Sequence, residues 1–425
     1  MPILVFEDPL VEQLAPVTLG RPAMAVHCAS LRLVDLVSRL PGEIRYVVRQ
    51  YLEEIVAADY PSQGSSDKDS GPVAEAPKTE APLLCLNSRL VPSFAALDRI
   101  AALYQSGEPC VVRKGDCVAA AILPDGQSLP DPLTVDSLHG FWRQGNPREV
   151  QVELPLFEWP HEIIRHHLAL LKDNLAQRIV RGDYREIEEG VFASGEVELG
   201  PYTVSDTERG PIVLEDGIRI GAGTYLSGPL HLDQNTQVAP HTLLRPGVAA
   251  GQKTKLAGEI EASIIESYSN KCHDGYLGHS YLGSWVNLGA GTSVSNLKNT
   301  YGEITITYGQ RRVPTGMQFV GCFFGDYART AIHTSIFTGK TVGPGSMLYG
   351  TVTGNVPSFV NYAPQIGQMT EVDVEVIIAT QQRMFARRGV EQRPCDVELL
   401  RAMFEWTRSE RIIDGKPLAA VPLRF

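Results

Sequence analysis

From Ile212 to Glu259 the chain reads IVLEDG IRIGAG TYLSGP LHLDQN TQVAPH TLLRPG VAAGQK TKLAGE. The third residue of each hexad is apolar without exception: Leu214, Ile220, Leu226, Leu232, Val238, Leu244, Ala250 and Leu256. A period of six matches neither the 3.6 of a helix nor the simple alternation of a strand. It fits a triangular coil in which three short flat strands make one turn, each giving one aliphatic side chain to a central stack. Gly, Pro, Asn and Asp fall between the strands, where a corner needs a sharp bend or positive φ. Each coil can then hydrogen-bond to the next at roughly 4.8 Å, the ordinary strand spacing. A sandwich of short strands would not hold a register of six for so long. The stretch therefore predicts an all-β, left-handed parallel β-helix.

Outward from this stretch the pattern loosens. The register breaks after Glu259, resumes at Leu277-Gly278, Leu282-Gly283 and Leu288-Gly289, and breaks again after Val294. Residues 296–319 are expected to leave the prism, as a β-hairpin, before the register returns at Ile336, Val342 and Leu348. Two amphipathic helices, Val372–Arg388 and Pro394–Arg408, are expected as a short C-terminal tail. Towards the N-terminus, strands are expected at Ile3–Phe6, Pro82–Leu86, Cys110–Val112 and Asp116–Ile122. Helices are expected at Ala29–Leu40, Glu43–Val56 and Ser93–Leu103, an alternation that suggests an α/β layer with some parallel pairing. A further helix should begin at Trp159-Pro160, Pro being suited to a first turn, with Ile163, Ile164, Leu168, Leu171 and Leu175 as its apolar face. The expected domains are 1–200 (α/β), 201–365 (β-helix) and 366–425 (tail). Residues 61–82, rich in Pro, Ser and charge without large apolar side chains, read as a disordered surface loop.

Composition narrows the function. A net charge of −11 disfavours a nonspecific grip on nucleic acid. Seven cysteines without a CxxC pair suit a reducing compartment and read as buried thiols. No apolar run approaches the 18 residues of a membrane span, and the start MPILVFEDPL has no basic and apolar leader. The expectation is a cytoplasmic protein that contacts neither membrane nor nucleic acid. His161-Glu162-Ile163-Ile164-Arg165-His166 nearly spells the zinc motif HExxH, but its histidines stand five apart, roughly 140° around a helix. No metal site is expected there.

The stretch Ser269-Asn270-Lys271-Cys272-His273-Asp274-Gly275-Tyr276-Leu277-Gly278, with Val286-Asn287-Leu288-Gly289-Ala290-Gly291-Thr292 after it, resembles the acetyltransferase half of the bifunctional N-acetylglucosamine-1-phosphate uridyltransferase/glucosamine-1-phosphate acetyltransferase family. More closely, the chain is similar to a less characterised sugar nucleotidyltransferase branch of it. The resemblance is specific over about 205–360 and loose before that. It implies a homotrimeric acyltransferase that takes acetyl-CoA as co-substrate and a sugar, sugar phosphate or nucleotide sugar as acceptor. It further implies His273 as the general base, since an attacking amine must be neutral and imidazole accepts a proton near pH 7. Tyr276, Asn287 and Asn296 match sugar-contacting positions, and Arg245 matches a phosphate-gripping Arg with the planar fork such an oxyanion needs. Glu261, twelve residues before His273, stands where the family has a Lys for the substrate phosphate.

The N-terminal half resembles the nucleotidyltransferase half only in outline. Leu14-Ala15-Pro16-Val17-Thr18-Leu19-Gly20-Arg21-Pro22 echoes the segment that follows a phosphate loop, but no such loop precedes it. Nucleotidyl transfer needs an acidic residue at a strand end to hold Mg²⁺. Asp8, Arg21 and Asp116 are the candidates for nucleotide binding, and Mg²⁺ is expected only if this half is active. Two alternatives to acyl transfer stand: nucleotidyl transfer by the N-terminal domain in a bifunctional enzyme, and a non-catalytic trimeric sugar-binding scaffold.

Overall fold

A computed structural model describes residues 1–61, 82–144 and 148–423. Apart from its two ends, the segment 61–82 lies outside them. The described chain divides into two compact units. One comprises Met1–Val26, Leu31–Trp159 and Pro394–Leu399, the other His27–Ser30, Pro160–Arg393 and Leu400–Phe425.

The first unit is built on a five-stranded sheet of β1 (Ile3–Phe6), β2 (Ile44–Val47), β3 (Leu83–Asn87), β4 (Cys110–Lys114) and β5 (Cys117–Leu123), in the order β2-β1-β3-β5-β4. The first three are parallel, and β5 runs antiparallel to both of its neighbours, β3 and β4. Leu4, Phe6, Leu83, Cys85, Val118 and Ala121 pack a common core with Trp142. The segment expected as a helix from Glu43 to Val56 instead gives strand β2 and a helix only at Glu53–Asp59. Ile44, Tyr46 and Val47 are β-branched or aromatic residues that suit a pleated surface, and the partner β1 decides the outcome. The helix expected at Ala29–Leu40 shrinks to Leu33–Val37.

In the second unit the turns of a β-solenoid give short strands to three parallel ladders, the turn through Asn287 joining the second only by isolated bridges. The first ladder runs through Ile212–Leu214, Leu230–Leu232, Val248–Ala250, Ile264–Ile265, Tyr281–Leu282, Cys322–Phe324 and Lys340–Val342. The second includes Ile218–Ile220, Gln237–Val238, Lys255–Leu256 and Asn270–Lys271. The third includes Tyr225–Ser227, Leu243–Leu244, Glu259–Glu261, Tyr276–Gly278 and Ser293–Val294. All eight hexad residues named above lie in the core at 4 % exposure or less. At about 1.5–3 kcal/mol for each large aliphatic side chain buried, this stack is the main stabilising term of the unit.

The expected break after Glu259 is not a break in the coil. The ladder continues from Ala249 to Ile264 and from Ile264 to Tyr281, so turns of 15 and 17 residues follow turns of 18 and only the text loses its period. The step from Tyr281 to Phe323 contains the true insertion, which carries the expected hairpin, Thr305–Tyr308 against Arg311–Pro314. Parallel strands begin at Val191, ahead of position 201.

Helix Pro160–Arg181 belongs to the solenoid's unit. His167 accepts from the Ala29 amide at 2.9 Å and lies 2.9 Å from the Gly247 carbonyl oxygen. Arg178 pairs with Glu215 at 2.9 Å. Burial alone would raise the Glu215 carboxyl, but hydrogen bonds from His231, Ser194 and Tyr184 hold it well below the usual range. Leu168 is 40 % exposed, so the buried stripe runs through His167 instead. His161 is buried beside the Tyr308 hydroxyl at 3.1 Å. Helices Val374–Arg387 and Pro394–Trp406 close the chain. No helix among the described residues is long and apolar enough to cross a membrane. All seven cysteines are free thiols; Cys117, Cys272 and Cys395 are only partly buried.

Candidate functional site

Strand geometry sends successive side chains to opposite faces. Ile260 and Leu277 point into the prism and are fully buried, so Glu259, Glu261 and Tyr276 project from the outer face of the third ladder. Glu261 is in register with Gly278. A side chain at Gly278 would collide with the Tyr276 hydroxyl and the Asn296 amide, so this glycine is what lets them meet. Tyr276 donates to Glu261 Oε2 at 3.0 Å. Asn296 Nδ2 donates to Tyr276 Oη at 2.7 Å and lies 2.9 Å from His279 Nδ1. The His279 ring stacks on Phe319 with centroids 5.4 Å apart. Beside this chain Arg245 pairs with Glu259 at 2.6 Å. Burial pushes the Tyr276 phenol well up, and the Glu261 carboxylate adds to it. Burial also lowers the His279 imidazole, against a smaller opposing pull from Glu261.

His273 lies in the loop that enters the Tyr276 strand, and its side chain is exposed. The loop is tied from beneath. Lys271 stands at the inward position of the second ladder, paired with Leu256, yet it is a lysine at 1 % exposure. Its Nζ donates to the carbonyl oxygens of Ala257 at 3.1 Å, His273 at 2.8 Å and Asp274 at 3.2 Å. Burial pulls this ammonium down to about 8. A buried cation at a core position has no signal in a hydrophobic periodicity, and the sequence reading passed over it.

The remaining candidates scatter. Asn287 sits on the second ladder, bridged to Asn270 and Arg329, and its Oδ1 accepts from Asn270 at 3.4 Å. That is a different face of the prism from Tyr276 and Asn296. The structure thus groups Arg245, Tyr276 and Asn296 on or beside one face, adds Glu261 and His279 to them, and separates Asn287. His279 is three residues after Tyr276 with φ at 50°; a non-glycine corner residue was its only trace in the sequence.

In the first unit, Asp8 at the end of β1 is fully engaged. Its Oδ1 accepts from Arg89 Nε at 2.7 Å and Leu10 N at 3.1 Å, and its Oδ2 from Arg89 Nη2 at 2.6 Å and Asn87 Nδ2 at 2.9 Å. Glu7 is filled likewise, by Ala23 N, Arg49 N, Arg49 Nε and Arg49 Nη2 at 2.9–3.1 Å. A carboxylate offers about four acceptor sites, so neither has one left for Mg²⁺. Asp116 is exposed in the turn between β4 and β5, and Arg21 gives its carbonyl to Arg49 at 3.1 Å. As placed, Glu7 and Asp8 do not fit a Mg²⁺ site. Among the described residues no group of three or more His, Cys, Asp or Glu is poised to hold a metal.

Residues 3–179 match the family model described as sugar nucleotidyl transferase. The chain is 30 % identical over 140 residues to a bifunctional sugar-1-phosphate nucleotidylyltransferase/acetyltransferase from Sulfurisphaera tokodaii, covering 32 % of this chain and 35 % of that protein. It is 31 % identical over 192 residues to the bifunctional protein GlmU of Alkalilimnicola ehrlichii, covering 43 % and 37 %. Each match thus spans little more than a third of the relative. Among solved structures a UDP-N-acetylglucosamine acyltransferase from Arabidopsis is similar over 53 % of this chain and 98 % of its own, at 10 % identity and a TM-score of 0.19, too distant to bear on function.

Proposed function

We propose that this chain is an acyl-CoA-dependent acyltransferase acting on an amino sugar, sugar phosphate or nucleotide sugar, with acetyl-CoA as acyl donor and His273 as general base. The observation that carries the reading is the convergence of Arg245, Glu261, Tyr276, Asn296 and His279 along one solenoid face, next to the loop that bears His273. In the step proposed, His273 takes a proton from the acceptor amine or hydroxyl as its lone pair attacks the thioester carbonyl. The tetrahedral adduct collapses with loss of the thiolate, and the proton goes to sulfur. Backbone N–H groups at the solenoid corners suit the transient oxyanion. The bifunctional relatives named above are consistent with this class.

The test is thiol release from acetyl-CoA with a panel of amino sugars and sugar nucleotides. His273→Ala is expected to lose roughly 10²–10⁴-fold in turnover, the range for a positioned base, and to keep its fold because the side chain is exposed. His279 and His333 both match no catalytic position of the family and are the expected controls. His279 joins the Tyr276–Asn296 chain, however, so His333, a corner residue with φ at 53°, is the control used. Full activity in His273→Ala with loss in His333→Ala would overturn the assignment. Indifference of the wild-type protein to acetyl-CoA would favour the scaffold reading. Nucleotidyl transfer is favoured by the family match over 3–179 and opposed by the saturated carboxylates of Glu7 and Asp8. Pyrophosphate release from a nucleoside triphosphate decides between them.

A further inference from the structure

The acidic end of the chain Glu261–Tyr276–Asn296–His279 fixes the direction of every hydrogen bond in it. A carboxylate can only accept, so Tyr276 gives its single hydroxyl proton to Glu261. The phenol oxygen must then accept from its other neighbour, which makes the Asn296 atom at 2.7 Å the amide nitrogen. The same nitrogen reaches His279 Nδ1 at 2.9 Å. An amide nitrogen only donates, so Nδ1 accepts and carries no proton. The proton of a neutral imidazole is then on Nε2. Burial favours the neutral ring over the cation. Phe319 flanks it and the left-handed corner fixes its backbone.

We propose that His279 is a neutral Nε2–H donor to an oxygen of the acceptor sugar, its tautomer imposed by Glu261 through Tyr276 and Asn296, in a subsite for hydroxyl or amine groups rather than phosphate. The ligand class follows from the two ends of the chain. At one end an N–H seeks an acceptor such as a hydroxyl oxygen. At the other a carboxylate seeks a donor, either a hydroxyl or an ammonium. A phosphate dianion would face Glu261 as a like charge, and the nearby Arg245 is already paired with Glu259. The sugar identity of the ligand rests on the acyl-transfer reading; the tautomer does not.

The test therefore has two arms on the full-length protein. In the first, ¹⁵N-labelled histidine is observed by long-range ¹H–¹⁵N correlation, with His279→Gln assigning the ring. An unprotonated Nδ1 and a protonated Nε2 are expected at pH 7. Asn296→Asp replaces the donor with an acceptor and should move the proton to Nδ1, while Glu261→Gln should give a mixture, because an amide can donate or accept. A protonated Nδ1 in the wild type, or a tautomer unchanged in Asn296→Asp, would overturn the relay. In the second arm, calorimetry with glucosamine and glucosamine-1-phosphate needs no turnover. His279→Ala is expected to weaken glucosamine binding about tenfold, the scale of one lost hydrogen bond, and added phosphate should not tighten binding to the wild type. Unchanged glucosamine affinity in His279→Ala, no glucosamine binding by the wild type, or tighter binding of the phosphate ester would overturn the subsite. A wild type that binds glucosamine yet releases no thiol from acetyl-CoA would overturn acyl transfer alone.

Discussion

Replacing Lys271 by methionine isolates the cost of one buried ammonium. The side chain is 1 % exposed, stands in line with Leu256 in an aliphatic column, and meets only carbonyl oxygens. Its fall from 10.5 to about 8 is caused first by burial, with Asp274 and Cys272 pulling weakly the other way. At 1.36 kcal/mol for each unit of pKa, folding pays about 3 kcal/mol to keep this lysine charged. At pH 7 the lysine is protonated in both states and the cost is present in full. Between about pH 8 and 10.5 the folded chain has released the proton and the unfolded chain still holds it. The unfolded state then binds more protons, so stability rises with pH. Above that window both forms are neutral and the cost has gone. Methionine fills a similar volume without a charge and removes the whole dependence. Denaturant unfolding of both proteins at pH 7 and pH 10.5 measures it, since other titrations are shared and cancel in the difference. The wild type should gain about 3 kcal/mol on the variant between the two pH values. A gap that does not change with pH would refute the buried charge. The same ammonium ties down the carbonyls of His273 and Asp274, so the variant should also lose turnover about tenfold or more, on the scale of a small misplacement of a reacting group.

Two further outcomes are expected. Asp8→Ala leaves the fully buried Arg89 without its carboxylate, which should cost about 3–5 kcal/mol, whereas Asp116→Ala in its exposed turn should stay within roughly 0.5 kcal/mol; equal effects in denaturant unfolding would contradict the ion-pair reading. The full chain is expected to be a trimer, three solenoids supplying grooves that a lone subunit would expose, and a monomer mass by light scattering at micromolar concentration would rule it out.

The solenoid was legible because its fold is written in side chains at fixed spacing. Leu214 through Leu256 report the inward face directly, and the insertion after Val294 announced itself by losing that face. Legibility failed where a partner distant in sequence decides the outcome. Glu43–Val56 has enough apolar residues for a helix, but hydrogen bonding to Ile3–Phe6 draws Ile44–Val47 into the sheet. The apparent break after Glu259 came from equating the period of the text with the period of the coil. A turn can shorten from 18 residues to 15 at its corners while the ladder Ala249–Ile264 stays in register.

The site was legible in residue type and less so in grouping, for the same reason. Tyr276 and Asn296 stand 20 residues apart and meet, while Asn287, between them in sequence, faces another side of the prism. Position along a coil therefore says which ladder a residue joins only when every corner is counted. The carboxylates of the first unit carry the lesson furthest. Asp8 at a strand end is the residue a metal site would use, and its type and place alone point to one. Arg89, 81 residues later, occupies both of its oxygens, and Arg49, 42 residues after Glu7, does the same there. A catalytic carboxylate needs a lone pair left over. Glu7 and Asp8 have none, because N–H groups fill their oxygens. The match over 3–179 therefore does not by itself bring a metal-holding carboxylate at the end of β1, whereas on the solenoid face Glu261 and His279 hold the two ends of one hydrogen-bond chain.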